Sequence, residues 1–224
     1  MPVFEEHLSR RLLLKSTVGA IGALAGSTAL ARTLCGLTPA QDEGPFYPEH
    51  EQLDEDNDLT WVKNFAQRAL GQVIYVQGTV RDEECKPVQG ALVEIWQACA
   101  SGKYNHSADT NTAPLDPNFQ YWGRAVTDAE GRYLFKTIVP GAYPNDPTWT
   151  RPPHIHYKVH KRGYHELTTQ LYFSGNPLND EDKILRGIPT KERALVITDL
   201  LDAGAGYEAG SKLGSFDITI RKVV

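Results

Sequence analysis

Two histidines, His154 and His156, stand two residues apart in Arg151-Pro-Pro-His-Ile-His156. On an extended strand such residues point to the same face, so the imidazoles lie side by side while Ile155 turns toward packing. Two imidazoles alone suit zinc, copper, nickel or iron. Tyr104 in Gly102-Lys-Tyr and Tyr143 in Pro140-Gly-Ala-Tyr-Pro144 supply two phenols in glycine- and proline-marked segments. As phenolates they would make a harder, anionic donor set that favours a trivalent metal, above all Fe(III). Taken singly, each residue has a plainer use. A tyrosine in a β protein packs its ring and bonds its hydroxyl, and a His-X-His pair can be an exposed polar face. His160 falls on the same strand face and would also allow a three-histidine divalent site.

These side chains need a rigid base. From Val73 the chain reads as short segments of strand formers between glycine and proline turns. Strands are expected over 73–80, 91–97, 123–128, 133–138, 154–159, 168–173 and 216–222. Helix is expected only over 180–185 and 191–201, both short. This pattern predicts an all-β fold: an antiparallel β-sandwich with long loops and few short helices. In that layout Tyr104 follows a strand, Tyr143 sits in a loop bounded by Pro140 and Pro144, and the histidines begin a strand. A site made of strand ends and loops uses the sandwich as its base.

The chain has 224 residues, enough for one cored domain. With 23 basic and 28 acidic residues its formal charge is −5, and no basic stripe marks a nucleic-acid face. Small molecules are the expected partners, and a homo-oligomer stays open. Residues 1–31 read as a twin-arginine-type signal peptide: Ser9-Arg10-Arg11 and Lys15 precede an apolar run ending in Ala29-Leu-Ala31. The run falls short of the roughly 20 apolar residues of a spanning helix, so stable membrane insertion is not expected. Export to the periplasm or beyond is the expectation. Residues 32–72 form an N-terminal loop arm, and 73–224 form the sandwich domain. The three cysteines are Cys35, Cys85 and Cys99. If the strands before Cys85 and Cys99 form a hairpin, these two lie at opposite ends of it, which argues against a disulfide between them. Cys99 is expected as a buried free thiol.

A series of segments then occurs in order: Pro45-Phe-Tyr-Pro48, Val93-Glu-Ile-Trp-Gln-Ala98, Gly102-Lys-Tyr104, Asp116-Pro-Asn-Phe119 and Gly123-Arg-Ala-Val-Thr-Asp128. Thr137-Ile-Val-Pro-Gly-Ala-Tyr-Pro144, Arg151-Pro-Pro-His-Ile-His156 and Thr169-Gln-Leu-Tyr-Phe173 follow. The series resembles the intradiol ring-cleavage dioxygenases, most closely the protocatechuate 3,4-dioxygenase type, from about Asp42 to Phe216-Asp-Ile218. The resemblance implies a non-haem Fe(III) held by Tyr104, Tyr143, His154 and His156. It also implies a catechol and O2 as substrates, a cis,cis-muconate as product, and Arg151 and Gln170 beside the substrate. Tyr143 would serve both as a ligand and as a base for the incoming catechol. There are departures: Asn145 stands where protocatechuate enzymes usually carry tryptophan, and the stretch from Tyr143 to Arg151 is shorter than theirs. Both bear on the substrate pocket rather than on the metal.

Two rival readings use the same scaffold. Pro87-Val-Gln-Gly-Ala-Leu-Val93 and Thr127-Asp-Ala-Glu-Gly-Arg-Tyr133 also suit a non-enzymatic binding module of the transthyretin or carboxypeptidase-regulatory kind. That reading leaves the tyrosines, histidines and Arg151 unexplained as a group. A cupin-like divalent centre using His160 leaves both tyrosines unexplained.

Overall fold

The computed structural model describes residues 34–49 and 54–223. The expected signal peptide lies outside the described residues. Two five-stranded sheets form the body. The first runs β10 (Leu201–Asp202), β11 (Lys212–Ser215), β1 (Val73–Asp82), β12 (Ile218–Ile220), with β4 (Arg132–Ile138) also paired to β1. The second runs β3 (Trp122–Val126), β2 (Leu92–Trp96), β7 (His154–His160), β8 (Leu167–Phe173), β9 (Ile197–Thr198). A separate two-stranded hairpin joins β5 (Tyr143–Asp146) to β6 (Trp149–Arg151). Among the described residues helix is limited to α1 (Lys183–Gly187) and 3-10 segments at Pro177–Asp180 and Thr190–Val196.

The sandwich is thus as expected in class, but its sheets are mixed. β1 pairs in parallel with both β11 and β12, and β8 in parallel with β9. Gly78 makes the double pairing on β1 feasible. A Cβ there would fall 1.8 Å from the Phe216 carbonyl oxygen, where the chain crosses from β11 to β12. Parallel neighbours arrive from distant sequence, so local alternation does not announce them.

Alternation does set the core. Ile74, Val76, Val80 and Phe135 of the first sheet meet Val93, Ile95, Ile155, Tyr157, Val159 and Leu171 of the second, all fully buried. Each such aliphatic side chain contributes about 1.5–3 kcal/mol on leaving water. The even-numbered residues of β2, β7 and β8 face the other way. Register places Trp96 and Gln170 on either side of His156, and Tyr172 beside His154. The second sheet therefore has two buried faces, one for the core and one for the site.

The described residues of the segment expected as an arm, 34–49 and 54–72, pack onto this body. Gln41 N–H donates to the Thr168 carbonyl, and Leu59 is fully buried in the main core. Cys35 and Cys85 form a disulfide with a Cα–Cα separation of 5.2 Å, while Cys99 is free and buried as expected. The hairpin assumed between the strands preceding Cys85 and Cys99 does not form, because β1 and β2 belong to different sheets. The cysteine partner comes instead from the arm, whose Cys35 N–H bonds the Glu83 carbonyl beside the β1–β2 turn.

Candidate metal centre

All four expected donors come together, each buried, on the site face of the second sheet. His154 and His156 are the first and third residues of β7, and their Nε2 atoms lie 3.2 Å apart. Adjacent nitrogens on one ion stand about 3 Å apart when metal–nitrogen bonds are roughly 2.0–2.1 Å. His154 Nδ1 lies 2.7 Å from the Pro152 carbonyl; its proton on that nitrogen leaves Nε2 as a lone pair directed at the site. Burial holds both imidazoles well below the ordinary histidine range, and the positive charge of Arg151 adds to this. Both effects favour the neutral imidazole, the form that metal ligation requires. Trp96 stacks on His156 with centroids 4.8 Å apart and planes inclined by 12°, which fixes the ring.

The tyrosines reach the histidines from loops locked together by glycines. Gly102 has φ +82°, and a Cβ on it would meet the Ala142 carbonyl oxygen at 2.2 Å; one on Gly141 would meet Gly102 N at 2.3 Å. Gly102 N–H and Gly141 N–H both donate to the Cys99 carbonyl, at 2.9 and 3.0 Å. This contact sets the Tyr104 and Tyr143 rings edge to face, 5.4 Å apart, with Tyr143 5.7 Å from His154 and Tyr104 6.3 Å from His156. Phe46 of the arm stacks on Tyr104 at 4.5 Å.

Burial acts on both phenols. Burial pushes the Tyr104 hydroxyl well above the ordinary phenol value; Tyr143 adds to this and Arg151 opposes it. Burial likewise raises Tyr143 against the pull of Arg151. Among the described residues no hydrogen bond of ordinary geometry reaches the buried Tyr104 hydroxyl, whose neighbour is the Tyr143 hydroxyl, a costly arrangement unless something else meets it. A metal ion would do so and would offset the burial of a phenolate. Among the described residues no group of three or more His, Cys, Asp or Glu side chains is placed to hold a metal. The phenols are therefore the histidines' available partners. His160, at the far end of β7, is exposed and faces Glu166 at 3.6 Å, so it takes no part. The donor set fits a hard trivalent ion.

Arg151 and Gln170 lie beside these donors. The segment holding Tyr143 and Arg151 is a hairpin rather than a plain loop, and it pairs Tyr143 directly with Arg151. Arg151 is 3% exposed. Its Nη2 donates to Gln170 Oε1 at 2.6 Å and to the Tyr172 hydroxyl at 3.2 Å, and its Nε donates to Asp182 Oδ2 at 2.7 Å. Gln170 Nε2 donates to the Asp42 carbonyl at 2.7 Å, and the Tyr172 hydroxyl reaches Gln41 Oε1 at 3.0 Å. Sequence reasoning missed Tyr172 and Asp182. Tyr172 was readable, since it lies two residues beyond Gln170 on the same strand face. Asp182 was not, because a tertiary pairing alone brings it to Arg151. A cavity of about 720 Å³ opens beside Tyr104, lined also by Glu49, His106, Phe119 and Tyr121. It touches none of the other three donors, so Arg151 rather than this cavity marks the side on which chemistry is expected.

Known proteins are similar to this chain in sequence and fold. A family model described as Dioxygenase matches residues 42–221. The protocatechuate 3,4-dioxygenase beta chain of Burkholderia cepacia is 46% identical over 187 residues, covering 81% of this chain and 74% of that one. A catechol 1,2-dioxygenase of Candida albicans is 36% identical over 155 residues, covering 63% of this chain and 46% of that one. The chain spans about half the length of the catechol 1,2-dioxygenases it matches. Among solved structures, the dioxygenase domain of a dioxygenase–carbohydrate-binding fusion from Streptomyces sp. SirexAA-E aligns with a TM-score of 0.63 at 30% identity. That alignment covers 84% of this chain and 100% of that one. The chain belongs to the intradiol ring-cleavage dioxygenases.

Proposed function

We propose that this dioxygenase cleaves a catechol, with 3,4-dihydroxybenzoate the leading candidate, between its two hydroxyl-bearing carbons to give a cis,cis-muconate. Tyr104, Tyr143, His154 and His156 would hold a non-haem Fe(III), which supplies charge transfer from the bound diolate and a site for O2 chemistry. The observation that carries the reading is the convergence of two buried phenols on two neutral, side-by-side imidazoles.

The protein's own groups then have distinct tasks. A catechol must lose two protons to chelate a metal. Tyr143, opposite Arg151 on the hairpin, would take one of them as a phenolate that becomes a phenol, and a hydroxide accompanying the metal would take the other and become water. Arg151 is fixed by Asp182, Gln170 and Tyr172, and it keeps its charge in a water-poor setting where that charge acts strongly on electron density building on the ring. Tyr104 and the two histidines keep their places. Gln170, tied to the arm through Asp42, holds the arginine from the sheet side.

The test is the purified full chain. About one iron per chain and a red-brown colour from tyrosinate charge transfer are expected, with ring-cleavage product from 3,4-dihydroxybenzoate or catechol under O2. A colourless zinc protein would overturn the metal assignment. An iron-replete protein that opens no catechol would overturn the activity.

We also infer export of the chain through its twin-arginine-type leader, with 32–72 an arm on a 73–224 sandwich. The Cys35–Cys85 disulfide supports this, since such bonds persist in oxidising compartments. Cell fractionation, with and without Arg10→Lys and Arg11→Lys, tests it; equal recovery in the cytoplasm from both would refute it.

A further inference from the structure

Asp182 has no exposed surface, and its two carboxylate oxygens serve different masters. Oδ2 accepts from Arg151 Nε at 2.7 Å; Oδ1 accepts from Leu185 N–H at 2.8 Å and so caps the first turn of α1. The Tyr172 hydroxyl lies 3.5 Å from Oδ1. A carboxylate taken wholly out of water is costly unless a counter-charge and hydrogen bonds meet it, and Arg151, Leu185 and Tyr172 meet this one.

The consequence lies in the orientation of the guanidinium. Three side chains hydrogen-bond Arg151, Asp182 at Nε and Gln170 and Tyr172 at Nη2, and the guanidinium also lies over the Trp149 ring, 5.4 Å from its centroid. Nη1 carries none of these bonds. A planar fork held on its Nε edge and at one terminal nitrogen has no rotational freedom left, so the remaining nitrogen points one way. Gln170 and Tyr172 belong to the same strand and bond neutrally, so neither balances the charge. Among the described residues Asp182 is the one anionic contact, and it comes from a different element. We propose that Asp182 is a positioning residue for the ring-cleavage reaction: it clamps Arg151 in its working orientation and ties that orientation to the placement of α1. The proposal rests on the assignment of Arg151 to the substrate side.

Asp182→Asn separates the two duties. Asparagine caps helices as well as aspartate does, so Leu185 keeps an acceptor while the counter-charge for Arg151 is lost. In the iron-loaded full chain, iron content and amide-exchange protection at Leu185 are expected to stay native. kcat on 3,4-dihydroxybenzoate should fall roughly 10–100-fold, the range for outer partners of a metal site, with little change in KM. A crystal structure of the variant should show the guanidinium released from Gln170 Oε1. Asp182→Glu keeps the charge, so part of the lost kcat should return.

Native kcat in the iron-replete Asp182→Asn chain, or an arginine still bonded to Gln170 and Tyr172 in its crystal structure, would overturn the proposal. Should Asp182→Asn not fold, Asp182→Glu decides: native kcat with a shifted guanidinium would overturn the role, and a joint loss supports it. A wild-type protein that carries iron yet cleaves no catechol would defeat the proposed function, while the variant's crystal structure still decides whether Asp182 sets the arginine.

Discussion

Removing the Cys35–Cys85 disulfide, as Cys35→Ser/Cys85→Ser, should lower stability without emptying the metal site. The bond closes a loop across a sequence separation of 50 residues. In the chain-entropy model a loop of that size restricts the unfolded state by about 4 kcal/mol at 25 °C. For a chain of this length each kcal/mol moves Tm by about 2–4 °C, so the double variant should melt roughly 8–16 °C below the wild type. The arm has anchors of its own nearer the site. Thr38 N–H bonds the Thr219 carbonyl, Thr219 N–H bonds Thr38 Oγ1, and Gln41 N–H bonds the Thr168 carbonyl. Gln41, Asp42 and Phe46 should therefore stay in place, and iron content should be native at temperatures well below the melt. The assay is thermal unfolding followed by circular dichroism, with and without a phosphine reductant, alongside iron analysis. Reductant should lower the wild-type Tm to that of the variant and leave the variant unmoved. A variant Tm within about 2 °C of the wild type would refute the entropic argument. Loss of iron at unchanged secondary structure would refute the independence of the arm's anchors.

Other changes report on the site directly. Gly102→Ala places a Cβ on the Ala142 carbonyl at a φ of +82°, so it should cost at least the 1–3 kcal/mol typical of such strain and part the two tyrosine loops. A lower Tm with reduced iron content is expected, and native iron content would show the loops do not need this contact. Tyr104→Phe should weaken iron binding and change the colour, whereas Tyr143→Phe should keep iron and slow catechol binding in rapid-mixing experiments. Equal binding rates in the two variants would contradict the base role of Tyr143. Arg151→Lys should keep iron and colour yet lose turnover, because lysine retains the charge but cannot satisfy Asp182, Gln170 and Tyr172 together; wild-type kcat would refute that.

What could be read from sequence was what depends on local alternation. Ile155 facing inward between His154 and His156, and the runs that became β1, β2, β4, β7 and β8, follow from side chains that switch faces at each residue. The residues expected to surround the metal assemble because His154 and His156 open β7, Tyr143 opens β5 and Tyr104 follows the tight turn at Gly102. Interactions between distant segments were hidden. The parallel partners of β1, the disulfide to the arm and the Asp182–Arg151 pair all join residues whose separation carries no periodic signature. The short β5–β6 hairpin escaped notice because Pro144 and the turn before Trp149 read as loop, although its register sets Tyr143 against Arg151. The segment 191–201, expected as helix, is a 3-10 stretch that gives way to β9, an edge strand of two residues.

The second sheet divides its labour by parity. Along β7, odd-numbered positions belong to the hydrophobic interior and even-numbered ones to the ligand face, with β2 and β8 obeying the same rule. Substitutions at Trp96 or Gln170 would loosen His156 or Arg151 without opening a hole among Ile95, Ile155 and Leu171 on the far side. The division also has a hazard. A one-residue slip of β7 would bury both imidazoles in the apolar interior and present Ile155 to the metal. A misthreaded sheet thus yields no half-active enzyme.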